Sequence, residues 1–163
     1  MRFQPQTLRV IAALTEAGVT PQVVRVDEIA RTAEGAAAAL GTGVEQIVKS
    51  LVVLSDDRPV LALISGANRL DTAKLAAHTG GAVTWADART VRDSTGYAIG
   101  GIPPIGHTAA LDTFCDRDLM HCDLVWAAAG TSDTLFAVDP EMLVTATGAT
   151  VCDLAVGSTP TSP

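Results

Sequence analysis

Three observations predict an α/β fold of mixed type, a mixed β-sheet flanked by helices. Apolar residues make up 48% of the 163 positions, enough to bury a core in one domain spanning about residues 1–155. Several Asp or Thr residues stand where helix caps are needed, each followed by an apolar helical stripe and a closing glycine. The β-branched runs "IVKSLVVLS" and "PVLALIS" flank Ser55-Asp56-Asp57-Arg58 and predict a hairpin. A hairpin makes at least one strand pair antiparallel, which excludes a doubly wound parallel sheet.

Taken in order, Leu8, Ile11, Ala12 and Leu14 form a stripe that predicts a helix over 5–17, ended by Gly18. "PQVVRVD" reads as a short strand. Thr32 caps a helix carrying Ala33, Ala36, Ala37 and Leu40, with Gly41 as its stop. Three more helix starts share a hydrophobic staple around an Asp cap: Leu70-Asp71 with Leu75, Ala86-Asp87 with Val91, and Val138-Asp139 with Leu143. Gly80, Gly96 and Gly148 are placed to close them. Further strands are expected at 82–85, 111–115, 124–128, 134–138 and 149–154. The small, polar, Pro-bearing end, residues 156–163, reads as a flexible tail.

Composition narrows the function classes. The net charge of −7 argues against a protein that grips many phosphates. Nothing approaches the roughly 18 uninterrupted apolar residues of a membrane span, so no membrane partner is expected. The start "MRFQP" lacks the apolar core of a secretory signal, and a cytoplasmic location follows as the expectation. Cys115, Cys122 and Cys152 have no CxxC spacing and read as small hydrophobes. No metal-ligand spacing links His78, His107 and His121, and neither a metal nor another cofactor is expected.

Two features carry candidate chemistry. Lys49 is the only charge in Ile47–Leu54, and alternation puts it on one face with Leu51 and Val53. It is either an edge-strand lysine that blunts aggregation or an ammonium held over a pocket for an anionic or carbonyl group. Ser50 beside it is either a strand filler or a hydroxyl donor. The second feature is "TGYAIGGIPPIGH", Thr95–His107, a stiff loop without carboxylate or thiol. Gly100-Gly101 allows successive backbone N–H groups to converge, as a developing oxyanion requires, and Pro103-Pro104 fixes the exit. His107 either polarises a substrate or caps the loop.

The motifs "ARTAEGAAAALG" (30–41), "QIVKSLVV" (46–53), "SGANRLDTAKLA" (65–76) and the glycine loop stand in one order and spacing. With "DLVWAAAGTSDTLFAVDPEML" (123–143), they resemble the YbaK/EbsC family of aminoacyl-tRNA deacylases, related to the editing domain of prolyl-tRNA synthetase. The resemblance spans about residues 5–155. It implies a strongly curved mixed sheet and hydrolysis of the ester that joins a wrong amino acid to tRNA, often a proline tRNA. It implies that Lys49 faces Gly100 and Gly101 across a pocket, and that the terminal ribose hydroxyl assists the attacking water. Leu51, Ile102 and Ile105 are then candidates for a size-limiting wall, with Ser50, Pro103, His107, Gly130 and Thr131 as further substrate-binding candidates in the same cleft.

One departure stands out. Many members of that family read Gly-Gly-x-Ser-Pro-Phe-Gly, whereas residues 100–106 here are Gly-Gly-Ile-Pro-Pro-Ile-Gly. The serine hydroxyl and the aromatic wall are gone, so the identity of the edited amino acid does not carry over. The acidic balance implies a small footprint at the tRNA acceptor end or help from a synthetase partner. The rival reading is a non-catalytic module on this scaffold that binds aminoacyl-tRNA or a synthetase.

Overall fold

The computed structural model describes residues 2–27 and 32–157. The last six positions of the expected tail lie outside the described residues. At the centre is the hairpin of β2 (Val48–Ser55) and β3 (Arg58–Ser65), in register from Val48 opposite Ser65 to Ser55 opposite Arg58. Asp56 and Asp57 turn it with φ of 46° and 67°. Two positive φ values in a two-residue loop match the right-handed twist of the flanking strands, and Asp tolerates them better than most side chains.

Around the hairpin, β4 (Val83–Trp85) pairs antiparallel with β2, while β5 (Asp112–Asp116) and β8 (Thr150–Cys152) add parallel strands beyond β3. The order β4-β2-β3-β5-β8 is the mixed sheet expected from the sequence. A second, antiparallel sheet is separate: β1 (Val23–Arg25), β7 (Thr134–Val138) and β6 (Val125–Ala128), with β7 in the middle. The two sheets meet at one parallel bridge, Ile47 to Trp126. β4 occupies the β2 edge only at Val53–Ser55, and no described strand pairs with Val48–Val52 on that side.

Helices α2 (Ala33–Leu40), α3 (Thr72–Thr79), α4 (Ala88–Thr95) and α5 (Pro140–Thr147) start on Thr32, Asp71, Asp87 and Asp139. Each cap side chain accepts a first-turn N–H, and each helix ends on a left-handed glycine, as the sequence predicts. Helix α1 (Pro5–Glu16) departs in its facing. It buries Thr7, Val10 and Leu14, while Leu8 is 53% exposed. The reason is polar: Thr7 Oγ1 meets Thr134 Oγ1 of β7 at 3.3 Å, which turns the Thr7 face inward.

Alternation along β3 divides the core. Leu61 and Leu63 point between the two sheets, toward Val10, Leu14, Ala127 and Phe136. Val60, Ala62 and Ile64 point the other way, toward Leu75 of α3 and Leu154. With both faces covered, β3 is the rigid spine against which the first half of β2 is held.

Candidate active site

Where β4 stops, the free edge of β2 opens into a cavity of about 240 Å³. The cavity wraps that edge, taking Lys49 and Leu51 from one face of the strand and Val48 and Ser50 from the other. Further walls come from Thr32, Ala33 and Ala36 at the start of α2, from Ile99, Gly100 and Ile102 of the glycine loop, and from Thr131 and Ser132 after β6, with Ile47, Ala128, Thr134 and Leu135 completing the lining. Among the described residues, no carboxylate, imidazole or thiol lines it. Among the described residues, no group of three or more His, Cys, Asp or Glu is arranged to hold a metal ion.

Lys49 donates from Nζ to the backbone carbonyl of Asn68 at 2.5 Å. Burial holds its ammonium below the ordinary lysine value; Glu34 works against that shift and Arg69 adds to it. Among the described residues Lys49 has no ion-pair partner, so its charge is oriented without being neutralised. Ser50 Oγ is buried and has no hydrogen-bond partner among the described residues. An unmet hydroxyl in a cavity wall is a donor and acceptor waiting for a ligand.

The glycine loop is held from within. The Thr95 hydroxyl accepts from the Tyr97 N–H at 3.0 Å, and Tyr97 Oη donates to the Gly106 carbonyl at 2.8 Å. Gly100 has φ 98° and lines the cavity. The expected convergence of two amides is narrowed here, because the Gly101 N–H donates to the Ala98 carbonyl at 3.0 Å and closes a turn. Gly101 serves contact instead: a Cβ there would lie 2.8 Å from Thr131 Cα.

Six of the expected site residues thus share one cavity: Lys49, Ser50, Leu51, Gly100, Ile102 and Thr131. Gly101, Pro103, Ile105, His107 and Gly130 do not line it. His107 stacks edge-on to Tyr97, with Nε2 2.6 Å from the Pro103 carbonyl, and burial lowers its pKa. Its place is that of a loop brace. Gly130 (φ 102°) lets the turn after β6 press on α1, where a Cβ would lie 2.9 Å from the Gln6 carbonyl. Burial pushes the Cys115 thiol up to about 12 and that of Cys152 to about 11, which suits inert side chains.

Sequence reasoning missed the α2 wall and Ile99. Small residues on α2 give no chemical signal, since their role is to leave space. Ile99 had one: it is a large apolar side chain in a glycine loop, and it is 62% exposed at the cavity rim.

A two-sheet α/β scaffold with a lysine in a small, largely apolar cavity offers an ammonium to an anionic or carbonyl group. Comparison with known proteins makes this specific. The profile of the aminoacyl-tRNA editing domain matches residues 27–146, and the chain belongs to that family. EbsC of Enterococcus faecalis, a candidate Cys-tRNA(Pro)/Cys-tRNA(Cys) deacylase, is 30% identical over 71% of this chain and 72% of its own length. The proline–tRNA ligase of Streptococcus gordonii is 31% identical over 70% of this chain, which spans only 17% of that ligase. The crystal structure of a candidate trans-editing enzyme for prolyl tRNA synthetase superposes with a TM-score of 0.91 at 43% identity, over 96% of this chain and all of the other. Among the described residues no helix is long and apolar enough to cross a membrane.

Proposed function

We propose that the chain hydrolyses the ester of a misacylated tRNA carrying a small amino acid, with proline tRNA as the favoured carrier. One observation carries the reading: Lys49 and Gly100 share a cavity that, among the described residues, holds no histidine, carboxylate or thiol. A site of this kind stabilises charge and excludes bulk; it does not shuttle protons through a histidine or a carboxylate.

In the proposed reaction the aminoacyl group enters between Ile102 and the β2 edge. The Lys49 ammonium and the Gly100 amide face the carbonyl oxygen as it gains negative charge. Water attacks the carbonyl carbon, the bond to the ribose oxygen breaks, and that oxygen takes up a proton. The neighbouring ribose hydroxyl orients the water, so the substrate supplies what the cavity lacks. Apolar walls of about 240 Å³ favour small side chains. A single methylene in such a pocket is worth about 1–3 kcal/mol, which is the discrimination a second sieve adds to a synthetase.

The charge of −7 fits a short footprint, with contacts confined to the acceptor end and the remaining affinity supplied by a synthetase partner. The test is deacylation of proline tRNA charged with alanine, serine, threonine, cysteine or 2-aminobutyrate. At least one ester is expected to be cleaved by wild type and spared by Lys49→Ala. Binding of these tRNAs without cleavage of any would instead establish a non-catalytic recognition module.

A further inference from the structure

Asn68 stands at the junction of two charged groups that never meet. Its main-chain oxygen receives the Lys49 ammonium. Its side-chain amide donates to Asp116 Oδ2 and to Asp118 Oδ2, each at 2.8 Å. Asp116 is fully buried at the end of β5, where the Leu154 N–H also donates to its Oδ1 at 3.4 Å. Asp118 lies in the following helical turn and is half-buried.

The loop that carries Asn68 is tied at its base. Ser65 Oγ donates to the Glu45 carbonyl at 2.9 Å, and the Asn68 N–H donates to the Ser65 carbonyl at 2.9 Å. A Cβ at Gly66 would lie 2.6 Å from the Val44 carbonyl, so the chain passes there without a side chain. Those ties fix where the loop begins. The two aspartates fix where Asn68 points.

We infer that Asn68, Asp116 and Asp118 are positioning residues for Lys49: the paired carboxylates grip the Asn68 amide, and the carbonyl thereby held in place aims the ammonium at the cavity. The inference rests on the reading of Lys49 as the group that meets the ester. A carboxylate bonded directly to Lys49 would orient it and also cancel its charge. A carbonyl orients it and leaves the charge for the substrate. The charges that bear on the ammonium are Glu34 of α2 and Arg69 next to Asn68, not the two aspartates. Asp116 in turn faces Asp118 and the thiols of Cys115 and Cys152. The aspartates therefore act on Lys49 through geometry.

The chain has two lysines, Lys49 and Lys74, so protein carrying ¹³C-labelled lysine gives two Cε signals, with Lys74 as internal reference. In wild type, Lys49 is expected to show two distinct Hε shifts and a titration midpoint below 10.5. Asn68→Ala keeps the main-chain carbonyl and removes the grip. The two Hε shifts are expected to merge, the midpoint to rise, and kcat for deacylation to drop about tenfold with KM within about twofold. A folded Asn68→Ala protein whose Lys49 signal and midpoint match wild type overturns the inference. If that variant does not fold, Asp118→Asn decides on the same signal: a smaller shift in the same direction supports the grip, and none refutes it. Because the signal is read without tRNA, a wild type that cleaves no ester sinks the proposed function alone.

Discussion

The two halves of β2 lie on one strand and live in opposite surroundings. Val53, Leu54 and Ser55 are paired on both sides, by β3 and by β4. Residues 48–51 are paired by β3 alone, and their outer edge faces the cavity. Val53 is fully buried, whereas Lys49, Ser50 and Leu51 are half-buried. One strand is thus both spine and site. The rigid half sets the position of the open half, so the lysine is presented by a sheet and not by a loop.

Substitutions in the two halves should therefore separate function from stability. Lys49→Ala is expected to lower deacylation by about a hundredfold, the usual cost of losing one donor to a developing oxyanion. Thermal denaturation should barely move, because the ammonium bonds a single carbonyl. Val53→Ala should do the reverse. It removes buried methyl groups from a packed cluster and should cost about 2 kcal/mol, while activity per folded molecule is kept. A Lys49→Ala protein that melts far below wild type would erase the distinction between the halves.

Gly101→Ala probes the wall facing β2. The new Cβ would sit 2.8 Å from the Thr131 main chain, where neither side yields easily. A cost of about 1–3 kcal/mol is expected, with a displaced loop and lower kcat. Gly100→Ala meets no neighbour within 4 Å, and its strain comes only from φ 98°. Both changes should therefore lower stability in denaturation, Gly101→Ala through contact with Thr131 and Gly100→Ala through backbone strain alone.

The same contrast explains how much was legible. Caps, closing glycines and the hairpin were readable because each is local: Asp71, Asp87 and Asp139 bond their own first turns. The separation into two sheets was not, since it depends on long-range pairing, β7 taking β1 and β6 as its neighbours and leaving them outside the β2 sheet. Lys49 stood out as a charge in an apolar run, yet its tie to Asn68 joins residues 19 apart through a main-chain atom, which no side-chain pattern announces. His107 was left between two roles, substrate contact and loop cap, for the converse reason. Its type suggests chemistry, and only packing on Tyr97 reveals it as a brace.

A pH profile places Lys49 on one side of the comparison. If the charged form assists the reaction, enzymatic deacylation, corrected for spontaneous hydrolysis, declines on the alkaline side as Lys49 loses its proton. Burial lowers that midpoint, so the decline is expected below 10.5. A decline at or above the ordinary lysine value would place the ammonium in open water.

The smallest expected effect is the most discriminating. Ser50 Oγ is buried without a partner among the described residues, a condition that penalises the ligand-free protein. Ser50→Ala should then leave stability unchanged or raise it by up to about 1 kcal/mol, contrary to the usual sign for a strand substitution. If the hydroxyl bonds the substrate, the same change should raise KM. Opposite signs in the two measurements would mark Ser50 as a group kept for a ligand. Destabilisation by the alanine would mean the hydroxyl is already satisfied in the free protein, and the open half of β2 would then hold one functional side chain, Lys49.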